Sequence, residues 1–278
     1  MKETLNKLRS KLIPVYGKGE SDAIIRLIFH YLKGWSLTDI LIHQNEELSP
    51  FIKSEIDKIL VRLLNYEPIQ YITGHARFHG MDLTIKPGVL IPRPETDELV
   101  DLILDENRGR DDLKVLDVCT GSGCIAISLA KNLPFSRVTA VDFSDIAIEI
   151  ASLNSHTLKT KVQFIKEDIF DWSPKDKFDI IVSNPPYVMD KEALAMERNV
   201  LDYEPHEALF VRDDDPLVFY KRIADMAKTS LVETGKIYFE INPLLADDLK
   251  NLMKEKGFQN INLFRDSFGK LRFLTASF

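Results

Sequence analysis

Apolar and polar positions alternate with two different periods along this chain. From residue 114 onward, short apolar runs rich in β-branched residues each end in an acidic or turn residue. Lys114–Val118, Val138–Val141, Val162–Ile165, Phe178–Val182 and Gly235–Ile241 read as buried strands. Between and after them, Ile125–Lys131, Pro216–Ala227 and Asp247–Lys256 carry apolar residues at helical spacing, and Ile261–Phe264 with Leu271–Leu274 reads as a closing hairpin. Strands that alternate with helices predict a doubly wound, mostly parallel α/β sheet ending in an antiparallel pair.

The first residues follow the helical period alone. Ser21-Asp22 reads as the start of a helix that carries Ala23, Ile24, Ile25, Leu27 and Ile28 and closes near Gly34. Ser36 with Asp39 makes a capping box for Leu37–Ile42. Ser49-Pro50 is a cap followed by proline at the first helical position, ahead of Ile52, Ile56, Ile59, Leu60 and Leu63. Residues 1–67 are therefore expected to form a small helical bundle. Residues 68–92, where glycine and proline punctuate β-like pieces, read as a hairpin connector, and 93–278 as the α/β domain. His30 and His43 read as core or surface residues, and His75 and His79 do not share a helical face in such a connector.

Candidate chemistry concentrates at the ends of the strands, where open α/β sheets bind ligands. Phe178–Val182 runs into Ser183-Asn184-Pro185-Pro186-Tyr187. Two prolines have no N–H to give to a ladder, so the chain leaves the sheet in a stiff turn. The Asn184 carboxamide and a proline carbonyl offer acceptors and Tyr187 an aromatic wall, a set suited to gripping a planar NH2 group. The alternative is a structural turn in which Asn184 caps and Tyr187 packs.

A second feature tips the balance. Lys114–Val118 leads into Cys119-Thr120-Gly121-Ser122-Gly123-Cys124 and then a helix, so glycines let the backbone approach a ligand at a helix N-terminus. Gly121-x-Gly123-x-x-Ala126 alone also fits a dinucleotide fingerprint. Asp117, which lies before the loop, would repel a pyrophosphate but suits the cationic end of S-adenosylmethionine. Asp142 after the second strand can take both ribose hydroxyls, with Phe143 beside it against adenine. Asp168 and Ile169 after the third strand stand where the adenine amine and ring face would be met.

Composition narrows the partners. The chain has 278 residues, 45% hydrophobic and 28% charged, with a net charge of −7. Lys and Arg against Asp and Glu number 10 to 9 in residues 1–75 and 26 to 34 in the rest, so the acidity sits with the α/β part. Phosphate backbones need clustered cations, which argues against a nucleic-acid substrate and fits a basic protein partner better. The charged first residues have no apolar core, so no secretory leader is expected; no apolar run reaches membrane length, and both cysteines, Cys119 and Cys124, lie in the glycine loop. Reduced thiols and a cytoplasmic location are expected, with no membrane and no metal.

Asn184-Pro185-Pro186-Tyr187 resembles the catalytic tetrapeptide of S-adenosylmethionine-dependent amino-methyltransferases. Leu90-Ile91-Pro92-Arg93-Pro94-Glu95-Thr96 and Glu204-Pro205-His206-Glu207-Ala208-Leu209 resemble segments of the HemK/PrmC-type protein-(glutamine-N5) methyltransferases. The resemblance covers nearly the whole chain. It implies a class I methyltransferase fold, a Rossmann-like sheet with a C-terminal antiparallel hairpin, that acts as a monomer.

The resemblance also implies methyl transfer from S-adenosylmethionine, leaving S-adenosylhomocysteine, to the glutamine of the Gly-Gly-Gln motif of class I peptide chain release factors. Asn184, Pro185 and Tyr187 would be catalytic, with Pro186 beside them against the substrate. Asp117, Cys119, Thr120, Gly121, Ser122, Gly123, Asp142, Phe143, Asp168, Ile169 and Asn184 would hold the cofactor, and the helical domain would dock the substrate. Two departures stand out: Cys119 replaces a usual glycine, and Val211–Pro216 lacks the family's glycines.

Other functions remain open at this point. A nucleic-acid adenine methyltransferase would share the tetrapeptide but not Ile91–Thr96, and no target-recognition domain is evident. A non-catalytic factor would not need Asp117, Asp142 and Asn184 together. For a nicotinamide dehydrogenase, no acid–base pair suited to hydride transfer is present.

Overall fold

A computed structural model describes all residues 1–278. The chain divides into two compact units: residues 1–74 with 197–203, and residues 75–196 with 204–278.

The first unit is helical. Helix α1 (Lys2–Lys33) is broken at Gly17, whose φ of 73° and ψ of 169° leave the helical region, and ends at Gly34 in the left-handed conformation. The helical stretch therefore begins well before Ser21. Leu5, Leu8 and Leu12 line one face of its first half and are buried. Ser21 is not the cap, because it lies inside the helix after the break and its hydroxyl donates to the Gly17 carbonyl at 2.6 Å.

Helix α2 (Leu37–Ile42) opens on the Ser36–Asp39 capping box. Helix α3 (Pro50–Leu64) is capped by Ser49 with Pro50 in its first turn. A further helix, α4 (Ile69–Thr73), follows Pro68. Leu8, Ile28, Ile56, Leu63, Ile69 and Ile72 belong to one core. Each such buried aliphatic side chain contributes about 1.5–3 kcal/mol. The helical unit thus extends past residue 67 to Gly74, because Ile69 and Ile72 pack into that core.

The second unit opens on a hairpin of β1 (His75–Phe78) and β2 (Met81–Thr84), so only part of 68–92 is β-structure. Helix α5 (Pro94–Glu106) follows, with Pro94 in its first turn. Strands β3 (Lys114–Val118), β4 (Arg137–Asp142), β5 (Val162–Lys166) and β6 (Phe178–Ser183) lie where the apolar runs place them. Helices α6 (Cys124–Asn132) and α7 (Asp145–Thr157) connect the first three of these strands.

Helix α8 (Val218–Ser230), strand β7 (Leu231–Glu240), helix α9 (Ala246–Glu255) and the pair β8 (Gln259–Arg265) and β9 (Leu271–Ser277) complete the unit. The seven strands are ordered β8-β9-β7-β6-β3-β4-β5. β3 pairs in parallel with both β4 and β6, whereas β9 is antiparallel to β7 and to β8. The order reverses about β3, which opens a crevice at the carboxyl ends of β3 and β6.

Between β6 and α8 the charged stretch forms a 3-10 turn (Asp190–Ala195) and two short helices (Arg198–Leu201 and His206–Leu209). The first of those helices lies in the segment that joins the helical unit, where the Tyr203 hydroxyl donates to the Asn65 carbonyl at 2.8 Å.

Candidate active site

The glycine loop leaves β3 through three left-handed residues, Cys119, Gly121 and Gly123, at φ 62°, 55° and 80°. A side chain at such φ is strained, which gives a physical reason for glycine at the position Cys119 occupies here. At Gly123 a Cβ would lie 3.0 Å from the Ala151 Cβ and 3.0 Å from the Ile127 Cδ1, so helices α6 and α7 close around a residue without a side chain.

Asp117 lies beneath this loop and has no exposed surface. Its Oδ2 accepts from the Thr120 hydroxyl at 2.6 Å and from the Ala126 N–H at 3.1 Å. Its Oδ1 has no partner, nor does the buried Ser122 hydroxyl. Burial pushes the Asp117 carboxyl up to about 7. An under-satisfied buried carboxylate costs free energy unless a donor or cation arrives.

Asp142 ends β4 at the mouth of the same site. Its Oδ2 accepts from the Gly121 N–H at 2.9 Å and its Oδ1 from the Ser144 N–H at 3.0 Å. These bonds hold the loop and the start of α7 to one carboxylate. Burial raises the Asp142 carboxyl above its ordinary value.

A cavity of about 810 Å³ opens here, lined by Cys119 to Ser122, Asp142, Phe143, Asn184 and Pro186 among others. Asp117 and Gly123 support this wall without lining it. Asp168 and Ile169 are not brought to it either. The Asp168 Oδ1 caps its own turn by accepting from the Phe170 N–H at 2.9 Å, and Ile169 is buried in the main core.

On the other side of Asn184 a recess of about 300 Å³ is lined by Leu90, Arg93, Pro185, Tyr187, Ala208 and Glu240 among others. Asn184, Arg93, Leu90 and Ala208 line both spaces. The Ser183 hydroxyl donates to the Val118 carbonyl at 2.6 Å and ties the end of β6 to β3 just before Asn184. Asn184 itself donates from Nδ2 to the Thr96 hydroxyl oxygen at 3.1 Å. Its side-chain oxygen is thereby left as the acceptor.

Two buried carboxylates link the motifs. The Arg93 guanidinium pairs with the Glu204 carboxylate, whose other oxygen accepts from the Ile91 N–H at 3.1 Å. The Tyr187 hydroxyl donates to the Glu240 Oε1 at 2.8 Å, and the Thr96 hydroxyl donates to the Glu240 Oε2 at 2.7 Å. Thr96 enters the sequence argument only as the last letter of a motif, and Glu240 does not enter it. The available signal was a charged residue directly after the apolar run Ile237-Tyr238-Phe239 at the end of a central strand.

His79, the one connector histidine that is largely buried, pairs through Nδ1 with Asp97 at 2.5 Å. No helix is long and apolar enough to cross a membrane.

A parallel sheet with a strand-end glycine loop, paired acids and an Asn-Pro-Pro-Tyr turn defines a methyltransferase. The methyltransferase small domain model matches residues 82–203, and the PrmC N-terminal domain model matches residues 3–74. A release factor glutamine methyltransferase from Bacteroides thetaiotaomicron is 46% identical over 272 residues, covering 97% of this chain and 97% of that one. One from Flavobacterium psychrophilum is 39% identical over 274 residues, 96% of this chain and 95% of that one.

Among solved structures, the T. thermophilus 16S rRNA N2 G1207 methyltransferase, in complex with AdoMet and guanosine, shares the fold with a TM-score of 0.54. It is 20% identical and covers 73% of this chain and 49% of that one. The chain belongs to the release factor glutamine methyltransferase family.

Proposed function

We propose that this protein transfers a methyl group from S-adenosylmethionine to the side-chain amide nitrogen of the glutamine in the Gly-Gly-Gln motif of class I peptide chain release factors. The observation that carries the reading is the placement of Asn184 in the wall shared by the larger cavity and the smaller recess. The larger cavity fits the cofactor. The orphaned Asp117 Oδ1 below it calls for a cation or donor, and Asp142 stands at its rim with lone pairs to spare for hydroxyls. When bound, the cofactor supplies a methyl group on a positively charged sulfur.

The recess is suited to a planar amide. An amide nitrogen is a poor nucleophile because its lone pair is delocalised into the carbonyl. Asn184 Oδ1 and the Pro185 carbonyl would accept its two N–H groups, fix the nitrogen and favour its pyramidal form. Tyr187 would pack against the side chain. Catalysis then rests on positioning and preoriented dipoles, and no general base is needed before attack. As the new N–C bond forms, the S–CH3 bond breaks and S-adenosylhomocysteine leaves. The N–H proton becomes acidic only once the nitrogen is alkylated and is then lost to water.

The same reading places the protein in the cytoplasm as a monomer, with the helical unit docking the release factor. Leu41, Ile42 and Phe51 of that unit are 58%, 67% and 69% exposed and supply apolar surface for a protein partner. Phe51→Glu is expected to raise KM for an intact release factor and to leave a short Gly-Gly-Gln peptide unaffected. Steady-state kinetics on both substrates checks this, and equal effects on the two would remove the docking role.

A further inference from the structure

The hydrogen-bond chain Glu240–Thr96–Asn184 has a direction. Glu240 is 1% exposed at the end of β7, and as a carboxylate it can only accept. The Thr96 hydroxyl has one proton, and that proton is committed to Glu240 Oε2 at 2.7 Å. Thr96 can therefore offer Asn184 only a lone pair. The Asn184 amide must then turn its NH2 toward Thr96, as its 3.1 Å contact shows, and present its oxygen to the recess. The second carboxylate oxygen holds the Tyr187 hydroxyl at 2.8 Å, so one buried group fixes both the acceptor and the aromatic wall.

We infer that Glu240 is a positioning residue which, through the single proton of Thr96, dictates the orientation of the Asn184 amide and so makes it an acceptor for the substrate NH2. This rests on the amide-methylation reading of the site.

The converse follows from the same accounting. A protonated Glu240 can donate to Thr96, which frees the Thr96 proton for Asn184 Oδ1. The Asn184 amide then turns over and presents NH2 to an NH2 substrate, two donors facing each other. Several groups bear on this titration. Thr96 and Glu95 reach Glu240 from α5, Tyr187 from the turn after β6, Cys124 from α6, Tyr220 from α8 and Arg272 from β9. Arg272 is itself held at 3.2 Å by the buried Asp266. Burial raises the Glu240 carboxyl, against the hydrogen bonds of Thr96 and Tyr187 and the charge of Arg272. With a raised value, the ionised and productive form is lost as pH falls through it.

The test combines kinetics with an observation of the amide itself. Glu240→Gln and Thr96→Val are each expected to lower kcat by about 10- to 100-fold, by analogy with the loss of partners that orient metal ligands. Cofactor affinity should stay unchanged in Glu240→Gln, and Thr96→Ser, which keeps the hydroxyl, should recover most of the turnover. Wild-type kcat should fall about tenfold per pH unit on its acid side, and Glu240→Gln should abolish that limb. In NMR spectra, one Asn184 Nδ2 proton should be protected from exchange at neutral pH and lose that protection in Thr96→Val.

Wild-type kcat retained in folded Thr96→Val, or an unprotected Asn184 amide in the wild type, would overturn the relay. Failure of the wild type to methylate any glutamine would instead overturn the substrate reading, and the NMR result would still decide the relay.

Discussion

Asn184→Ala is expected to turn over about 10²–10³-fold more slowly than the wild type, the loss seen when one preoriented polar group is removed from a transition-state site. The reason is geometric. Asn184 lines both the cavity and the recess and is held by a fixed hydrogen bond to Thr96. Alanine removes an acceptor for the substrate amide and leaves the Thr96 lone pair without its donor. Asn184 is one of several residues on the cofactor wall, and the glycine loop, Asp117 and Asp142 are untouched, so most of the cofactor affinity should persist. Rapid-quench kinetics with cofactor binding measured in parallel separates the two. A variant that binds cofactor and transfers methyl at nearly the wild-type rate would remove Asn184 from the chemistry.

The second large effect concerns Asp117. Its carboxyl is pushed from 3.8 to about 7 by burial, with Oδ1 unpaired. A cation bound nearby favours the ionised form, so cofactor binding below pH 7 should release up to one proton. Affinity should fall as pH drops below about 7. Asp117→Asn keeps the shape and removes the charge. It is expected to weaken binding by about 10- to 100-fold, since hydrogen bonds to charged groups contribute about 1.5–3 kcal/mol. Calorimetry in buffers of different ionisation enthalpy reads both effects. Equal affinity and equal proton release in the two proteins would contradict the assignment.

The ligand-free protein carries the opposite signature. A raised carboxyl favours the folded state at acid pH, and that contribution is lost as pH rises from 3.8 toward about 7. The same group that limits the free enzyme is thus the one the cofactor relieves.

Local features were legible where local physics decides the structure. β3 and β6, and helices α2 and α3, follow from an apolar run or a cap followed by helical spacing. Helix α1 was legible only in its second half. Its first half is mostly polar, carries Pro14, and is helical because Leu5, Leu8 and Leu12 find a core contributed by distant residues. The start of β7 lies at Leu231 rather than Gly235, because Leu231 pairs with Phe178 of β6 before an irregularity, and the ladder resumes at Lys236.

The site divides in the same way. Strand ends and the glycine loop put Asp142, Asn184 and the loop together around one cavity, as their spacing implied. Asp168 and Ile169 share the strand-end position but not its direction, one capping a turn and the other entering the core. Glu240 and Thr96 are 144 residues apart and meet only because α5 packs against β7, which no local period encodes. Glu204 likewise joins Arg93 across 111 residues, so two motifs that are separate in the sequence form one wall.

The most direct test is tandem mass spectrometry of a class I release factor after incubation with this protein and S-adenosylmethionine. The expected product carries one added methyl on the glutamine of Gly-Gly-Gln, absent when Asn184→Ala replaces the wild type. An unmodified glutamine, with cofactor bound and the release factor intact, would contradict the proposed function.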